Sequence, residues 1–471
     1  MSGLFPGPVL TALREAPCRP ALEFGPRAVS CGELLATVYR LADGLRAAGL
    51  GPGRGVGLVL PLSPEAYAAH LAAHMVGCRV AAARPAWSTP QLVDAMRGTV
   101  DAVVSDRPLD GQVDVPVLPL AGLFARARSP GAITERAVPG DIARLTYTSG
   151  STGSPKACAH TYAAISLAYR PDRWAPILAD LLTRFERCLI IHNLASPVMF
   201  TYLGRCLVVG GTAVIADGAT LPEAVERYRI TATMLHPARL DELIRSRADL
   251  RTLRAVVIGG SPAGPGLLLA AAERLGPIVW QGYGQAEAGV VSMLTPEDIA
   301  AGHVGSVGRP MPAVDVAIRD GEVCVRSPHM MTGYWNDPEQ TSEVLRDGWL
   351  HTRDLGHQDA DGRLFLTGRA RDVIMVNAEV CYAGAIERVL AAHPQVAQAY
   401  VVGVPDRDTG EAIHAFVVPA PDTAPEPGVL AELVRERLSQ NSVPKAITFI
   451  DEAPVNASGK PDKRALLAEP G

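Results

Sequence analysis

The stretch Tyr147-Thr-Ser-Gly-Ser-Thr-Gly-Ser-Pro-Lys156 is built for anion chemistry: seven of its ten residues are Gly, Ser or Thr, and a single lysine closes it. The preceding run Asp141-Ile-Ala-Arg-Leu-Thr-Tyr reads as a short strand, so the loop leaves a strand end. Backbone N–H groups and small hydroxyls there can wrap a phosphate, because glycine lets the main chain approach. A Walker loop needs Gly before the Lys and Ser or Thr after it. Here Pro155 precedes Lys156 and Ala157 follows, which excludes that pattern. A flexible surface turn has the same composition, so the stretch by itself leaves both readings open.

The elements that must carry such a loop follow an alternating order. A helical pattern over Leu34 to Ala48 precedes a buried strand, Gly55 to Leu60, and a helix from Pro64 to Val76 leads into a strand at Val80 to Ala83. Further on, the strand Leu253 to Ile258 turns at Gly259-Gly260 into a helix near Gly264 to Leu275. Alternation of this kind argues for parallel sheets covered by helices. After about residue 305 the pattern changes: Val314 to Ile318 and Glu322 to Arg326 flank Asp320-Gly321, a hairpin signal, and Asp361-Gly362 supplies a second. A small antiparallel barrel or sheet is expected there. The strand Val373 to Val376, the helix Gly384 to Ala392, the strands Val396 to Val404 and Ala412 to Val418 and the helix Gly428 to Leu438 then form a compact α+β unit. The expected organisation is a large N-terminal α/β domain at 1–369, with its β-rich part at about 305–369, followed by a small C-terminal domain at 370–471.

With 471 residues the chain exceeds one hydrophobic core, which agrees with two domains. Its 48% hydrophobic and 20% charged residues fit an ordinary globular protein, and a net charge of −5 without a basic run argues against nucleic acid as partner. The most apolar segment, Leu189 to Ala216, contains His192, Asn193, Pro197 and Arg205, which suits buried strands and a helix rather than a membrane span. The N-terminus shows no secretory pattern. Eight cysteines without a C-x-x-C pair point to reduced thiols and a cytoplasmic location rather than zinc or disulfides.

Further motifs follow the opening loop in order: Tyr283-Gly-Gln-Ala-Glu287, Thr332-Gly-Tyr-Trp-Asn-Asp337, Asp347-Gly-Trp-Leu-His-Thr-Arg-Asp354, Thr367-Gly-Arg-Ala-Arg-Asp372 and Asn456-Ala-Ser-Gly-Lys460. In this order and spacing the chain resembles the adenylate-forming superfamily of acyl-CoA synthetases, adenylation enzymes and beetle luciferases, over roughly residues 30 to 465. The resemblance implies an AMP-forming ligase that makes an acyl-AMP, releases pyrophosphate and passes the acyl group to a nucleophile. It gives Thr148, Ser149, Gly150, Ser151, Thr152, Gly153 and Lys156 to the ATP phosphates. Tyr283 would stack on adenine opposite Gly259, Gly260 and Ser261, beside Gly284, Gln285 and Ala286. Glu287 would hold Mg²⁺, Asp354 the ribose hydroxyls, and Arg369 ribose or phosphate. Lys460 would be the catalytic lysine, with Lys463 a nearby rival, and Arg371 would be the hinge, where relatives commonly carry Asp or Lys.

Acid specificity falls on Leu189 to Pro197, where amino-acid-activating relatives place an aspartate; none lies between Glu186 and Asp217. His192-Asn193 is similar to the His-Asn pair of aryl-acid ligases, as is the Ala of Gln285-Ala286-Glu287. An aromatic or related carboxylic acid is therefore expected, with His192 and Asn193 as its contacts; a purely structural role for the pair and an α-amino-acid substrate stay open. The acceptor implied is a phosphopantetheine thiol, on CoA or a carrier protein. Val376-Asn377-Ala378 replaces the usual Ser-Gly-Gly-like run, so an amine or small anion remains an alternative. A luciferase-like monooxygenase and a nucleotide-binding regulator without catalysis are the readings from other classes.

Overall fold

In the computed structural model, residues 3–84, 87–109, 111–128, 136–148, 156–191, 193–261, 263–369, 373–377, 379–407, 409–455, 461–463 and 465–467 are described. Two helix-covered sheets form most of the N-terminal part. In the nine-stranded sheet, Val279–Gln285, Ala255–Gly259, Ala232–Leu235, Arg187–Leu189, Thr212–Ile215 and Pro20–Phe24 run parallel in that order, and Gly289–Leu294 adds antiparallel to Val279–Gln285. The seven-stranded sheet has Gly55–Val59, Arg79–Ala82 and Ile142–Thr148 parallel at its centre. There the chain reverses: Lys156–Thr161 pairs antiparallel to Ile142–Thr148, with Thr148 opposite Lys156. The glycine-serine-threonine loop is therefore a hairpin connection, whereas a Walker loop joins a strand to a helix.

Local sequence explains the helices that cover these strands. Cys31–Ala47 starts at a capping box, the Ser30 side chain accepting from the Glu33 N–H while Glu33 reaches back. Pro64–Met75 starts with proline in its first turn behind a Ser63 cap, and every residue but Glu65 is buried. This burial explains its alanine-rich, nearly unpatterned sequence: a helix enclosed on almost all sides needs no polar face. The main core lies around it, with Phe5, Tyr67, Tyr169, Phe185 and Phe200 among its fully or almost fully buried aromatic residues.

The expected antiparallel region is a curled five-stranded sheet of Asp315–Arg319, Glu322–Arg326, Trp349–Gln358, Leu345–Arg346 and Leu364–Arg369. Its first hairpin turns at Asp320 and Gly321, with φ of 49° and 80°, the left-handed pair that a tight two-residue hairpin requires. The C-terminal unit has its own core, including Ile374, Ile386, Leu390, Ile413 and Leu430. Besides the expected elements it contains the strands Glu379–Tyr382 and Ala446–Phe449, whose short or mixed composition carries no clear alternation. Arg388 Nη2 donates to the Thr367 carbonyl at 2.5 Å, linking this unit to the end of the antiparallel sheet. All eight cysteines are free and only Cys18 is exposed. Among the described residues no helix is long and apolar enough to cross a membrane.

Three histidines are sealed in the core between the layers. Burial pushes His74 down to about 3 and His160 down to about 4, and it also lowers His70. Each ring is neutral in the fold, while the unfolded chain takes up a proton below its ordinary value near 6.5. Stability is therefore complete above pH 6.5 and falls as the pH drops towards the folded values, by up to about 1.4 kcal/mol per pH unit per histidine. Urea unfolding at pH 7.5 and pH 5.0 checks this: the midpoint drops at pH 5.0, and His74→Gln makes the drop smaller.

Candidate active site

The elements above meet at Asp354, in the strand Trp349–Gln358. Its side chain is buried, at 4% exposure, and its carboxylate is bound from three directions. Tyr283 Oη donates to Oδ2 at 2.7 Å, Gln285 Nε2 to the same oxygen at 2.5 Å, and Arg369 Nε to Oδ1 at 2.9 Å. Thr352 supports it from below, its Oγ1 accepting from the Asp354 N–H at 3.0 Å and donating to the Val323 carbonyl at 2.6 Å. Gln285 is fixed by a second bond to the Thr352 carbonyl at 3.0 Å. Burial, and then the adjacent Asp354 charge, raise the Tyr283 phenol well above its ordinary range, so it stays a neutral donor.

Tyr283 lies on the strand Val279–Gln285, beside Ala255–Gly259, with Gly282 paired to Gly259. Gly260 holds φ of 86°, so the backbone from Gly259 to Ser261 turns away from the sheet without a side chain in front of Tyr283. His236 Nδ1 is 3.2 Å from the Gly259 carbonyl and braces that turn, a contact no sequence motif announced. Together these residues set glycine-thin backbone on the strand beside Tyr283.

On the far side of Gln285, the backbone bends to present Glu287. Tyr334 Oη donates to Glu287 Oε1 at 2.9 Å, and the Met331 N–H donates to the Glu287 carbonyl at 2.8 Å. Lys156 Nζ sits 5.2 Å from the Tyr334 ring centre, a cation–π contact. Tyr334 comes from the Thr332-Gly-Tyr motif, and its strand Gly333–Tyr334 pairs with Lys156–Thr161. Burial and the Glu287 charge push its phenol up. No role for this motif is legible from its residues alone; in the structure its Tyr334 touches both Glu287 and Lys156. Glu287 Oε2 accepts no hydrogen bond among the described residues and is free to face a hard cation.

Of the remaining expected site residues, Asn193 uses Oδ1 to accept from the Ala195 N–H at 3.1 Å, fixing the turn that follows it. Lys463 is ion-paired to Glu387 at 2.7 Å, which gives it a structural partner. Ser149, Gly150, Ser151, Thr152, Gly153, His192, Arg371 and Lys460 lie outside the described residues. Asp359 and Asp361, read as turn residues, bind Arg363 in the second hairpin.

A buried carboxylate held by three donors, with a second carboxylate and a lysine nearby, is an arrangement able to hold a nucleotide and a hard cation. Residues 10–335 match the family model described as AMP-binding enzyme, and residues 385–460 match that of the AMP-binding enzyme C-terminal domain. The chain belongs to the AMP-binding enzyme family. A medium/long-chain-fatty-acid–CoA ligase of Mycobacterium tuberculosis is 31% identical, covering 97% of this chain and 88% of the relative. Among solved structures, the amide bond synthetase McbA of Marinactinospora thermotolerans is 35% identical at a TM-score of 0.85, covering 97% of this chain and 98% of that one. The o-succinylbenzoate CoA synthetase of Bacillus subtilis, in complex with ATP and magnesium ion, is 26% identical at a TM-score of 0.82, covering 96% and 97%. This AMP-binding enzyme is an AMP-forming ligase of the acyl-CoA synthetase type, with the large α/β and small C-terminal parts of its structural relatives.

Two substitutions test the site. Tyr334→Phe removes one hydrogen bond from Glu287, worth about 1 kcal/mol, and should raise the Mg²⁺ concentration needed for half-maximal activity by about fivefold. Gly284→Ala would place a Cβ 2.2 Å from the Gly289 carbonyl and should abolish ATP-dependent activity or folding. Activity titrations against Mg²⁺ and a thermal melt read the two outcomes.

Proposed function

We propose that this ligase activates an aromatic or related carboxylic acid with ATP and Mg²⁺, and transfers the acyl group to a phosphopantetheine thiol. The observation that carries the nucleotide half is the Asp354 clamp. Two donors on one oxygen and a guanidinium on the other hold the carboxylate in a fixed direction, ready to exchange donors for ribose hydroxyls. Tyr283 offers its ring face to adenine across from Gly259-Gly260-Ser261. Lys156 and the hairpin from Thr148 take the phosphates, and Ser149, Ser151 and Thr152 supply hydroxyls.

In this reading Glu287 holds Mg²⁺, and the metal supplies charge neutralisation of the phosphates when bound. Lys460 stands between the acid carboxylate and the α-phosphate and stabilises the charge that develops as the acyl–phosphate bond forms and pyrophosphate leaves. Residues 370–471 then swing about Arg371, withdrawing Lys460 and exposing the anhydride to the acceptor. Closure keeps water from the activated acyl group. His192 and Asn193 face the acid: the absence of an aspartate from 187 to 216 favours an acid without an ammonium group.

The second reading changes only the acceptor. Asn377 stands in the left-handed region, φ 53°, in the turn between Val373–Val376 and Glu379–Tyr382, and its Nδ2 donates to Asn441 Oδ1 at 2.9 Å. A tied side chain where the thiol-transferring relatives keep glycine favours an acceptor thinner than a pantetheine arm, such as an amine. The resemblance to an amide bond synthetase supports the same alternative.

Pyrophosphate exchange over a panel of aryl, aliphatic and amino acids decides the acid. Aryl acids should exchange fastest, and Lys460→Ala should lower exchange at least 100-fold with ATP binding retained; fast exchange with amino acids alone would reject the acid assignment. For the acceptor, CoA and simple amines are offered to the preformed adenylate. Thioester formation supports the first reading, and Asn377→Gly should accelerate it; amide formation without thioester supports the second.

A further inference from the structure

Arg144 is the one strongly basic side chain of the strand Ile142–Thr148, and it points into the layer between the two sheets, at 4% exposure. No carboxylate pairs with it among the described residues; the buried Arg363 pairs with Asp359 and Asp361, while Arg205 bonds the Ala168 carbonyl and, like Arg144, has no carboxylate. Burial draws it down to about 10, so it remains charged at neutral pH. Both of its hydrogen bonds leave from Nη2, to the Leu194 carbonyl at 3.0 Å and the Ala195 carbonyl at 3.3 Å. Its Nε is buried without a partner. Cζ stands 4.4 Å from the centre of the Phe200 ring.

The location ties this charge to the acid. Leu194 and Ala195 directly follow Asn193, so Arg144 holds the segment expected to read the substrate. Across the sheet Arg144 pairs with His160, whose ring is near the backbone of Ala286, in the motif that presents Glu287. The guanidinium thus lies between the acid-reading segment and the nucleotide site. Two further polar atoms of the same layer, Tyr67 Oη and His70 Nδ1, are buried without partners; their rings are 5.9 and 5.1 Å from Phe200. A role confined to pinning two carbonyls would use neutral donors at less cost, and would not leave Nε and these neighbours unpaired.

We infer that Arg144 is a substrate-binding residue that receives a second acceptor group on the acid, an additional carboxylate or a ring carbonyl, placed away from the carboxylate that is adenylated. The inference rests on the proposed activation of an aromatic or related acid and narrows it to acids carrying such a group. Tyr67 and His70 would complete the hydrogen bonding of that group or of a water beside it.

The test compares benzoate, 3-acetylbenzoate and benzene-1,3-dicarboxylate, with butanoate and butanedioate as the aliphatic pair, on the full chain. In pyrophosphate exchange the wild type should favour at least one acceptor-bearing acid over its parent by tenfold or more in kcat/KM. Arg144→Met should reduce that preference to within about threefold, and Arg144→Lys should keep part of it. A gain with the dicarboxylates alone identifies an anion, and a gain with the acetyl acid alone a neutral carbonyl. Equal values for all acids in the wild type, or a preference intact in Arg144→Met, overturn the inference. Calorimetric binding of the same acids without ATP separates it from the activity proposal: preferential binding lost in Arg144→Met upholds the Arg144 site even where exchange is absent, and no preference in binding overturns it. Should Arg144→Met fail to fold, the wild-type ranking and Arg144→Lys still decide.

Discussion

A single buried carboxylate organises this enzyme. Asp354 lies on the antiparallel sheet, yet its oxygens are taken by Tyr283 and Gln285 from the edge of the nine-stranded sheet and by Arg369 from the last strand before the C-terminal unit. A carboxylate taken from water has to be repaid by donors of good geometry, and three charge-assisted bonds from two sheets do this. The same bonds fix how the two sheets face each other, because neither Tyr283 nor Arg369 can move without leaving the charge short of partners. Arg369 remains 55% exposed at its side chain, so water softens its share of the interaction.

Around that anchor, charge is distributed unevenly. Glu287 and Lys156 sit together at the mouth, joined through the face and hydroxyl of Tyr334. Behind them, Arg144 and the neutral His70, His74 and His160 occupy a layer in which no carboxylate pairs with the guanidinium among the described residues. Burial is the largest influence on each histidine, and Arg144 adds to it by opposing a second positive charge. Burial keeps the imidazoles uncharged, and the guanidinium reinforces it.

Much of this was legible in the sequence, for identifiable reasons. Motif order and spacing singled out Tyr283, Asp354 and Arg369, and the structure brings these three side chains into direct contact. The alternation of strands and helices gave the sheets, since a buried parallel strand such as Gly55–Val59 needs a continuous apolar run. What remained hidden was pairing through space. Nothing in the spacing of Tyr334 and Glu287 says that one holds the other, because they meet only after Gly333–Tyr334 docks on Lys156–Thr161. Arg144 was read as a strand residue and no more; its meaning comes from its burial and from the carbonyls of Leu194 and Ala195, fifty residues away. The ion pair of Lys463 with Glu387 is likewise a meeting that their separation in sequence does not announce.

On the proposed assignment, the acid and the acceptor are read by parts of the fold with different mechanical character. Arg144, Phe200 and the turn capped by Asn193 belong to the central layer, where a change of one side chain is transmitted at once to its neighbours. Asn377 sits in an exposed turn of the C-terminal unit, its side chain donating a hydrogen bond to Asn441 Oδ1. Selectivity for the acid is consequently costly to alter, since the same residues also fill the core. On the same assignment, selectivity for the acceptor lies at the surface of a small unit with its own core, where substitution disturbs little else. Such a division would let one scaffold serve different acceptors, and the chain is similar both to a CoA ligase and to an amide bond synthetase.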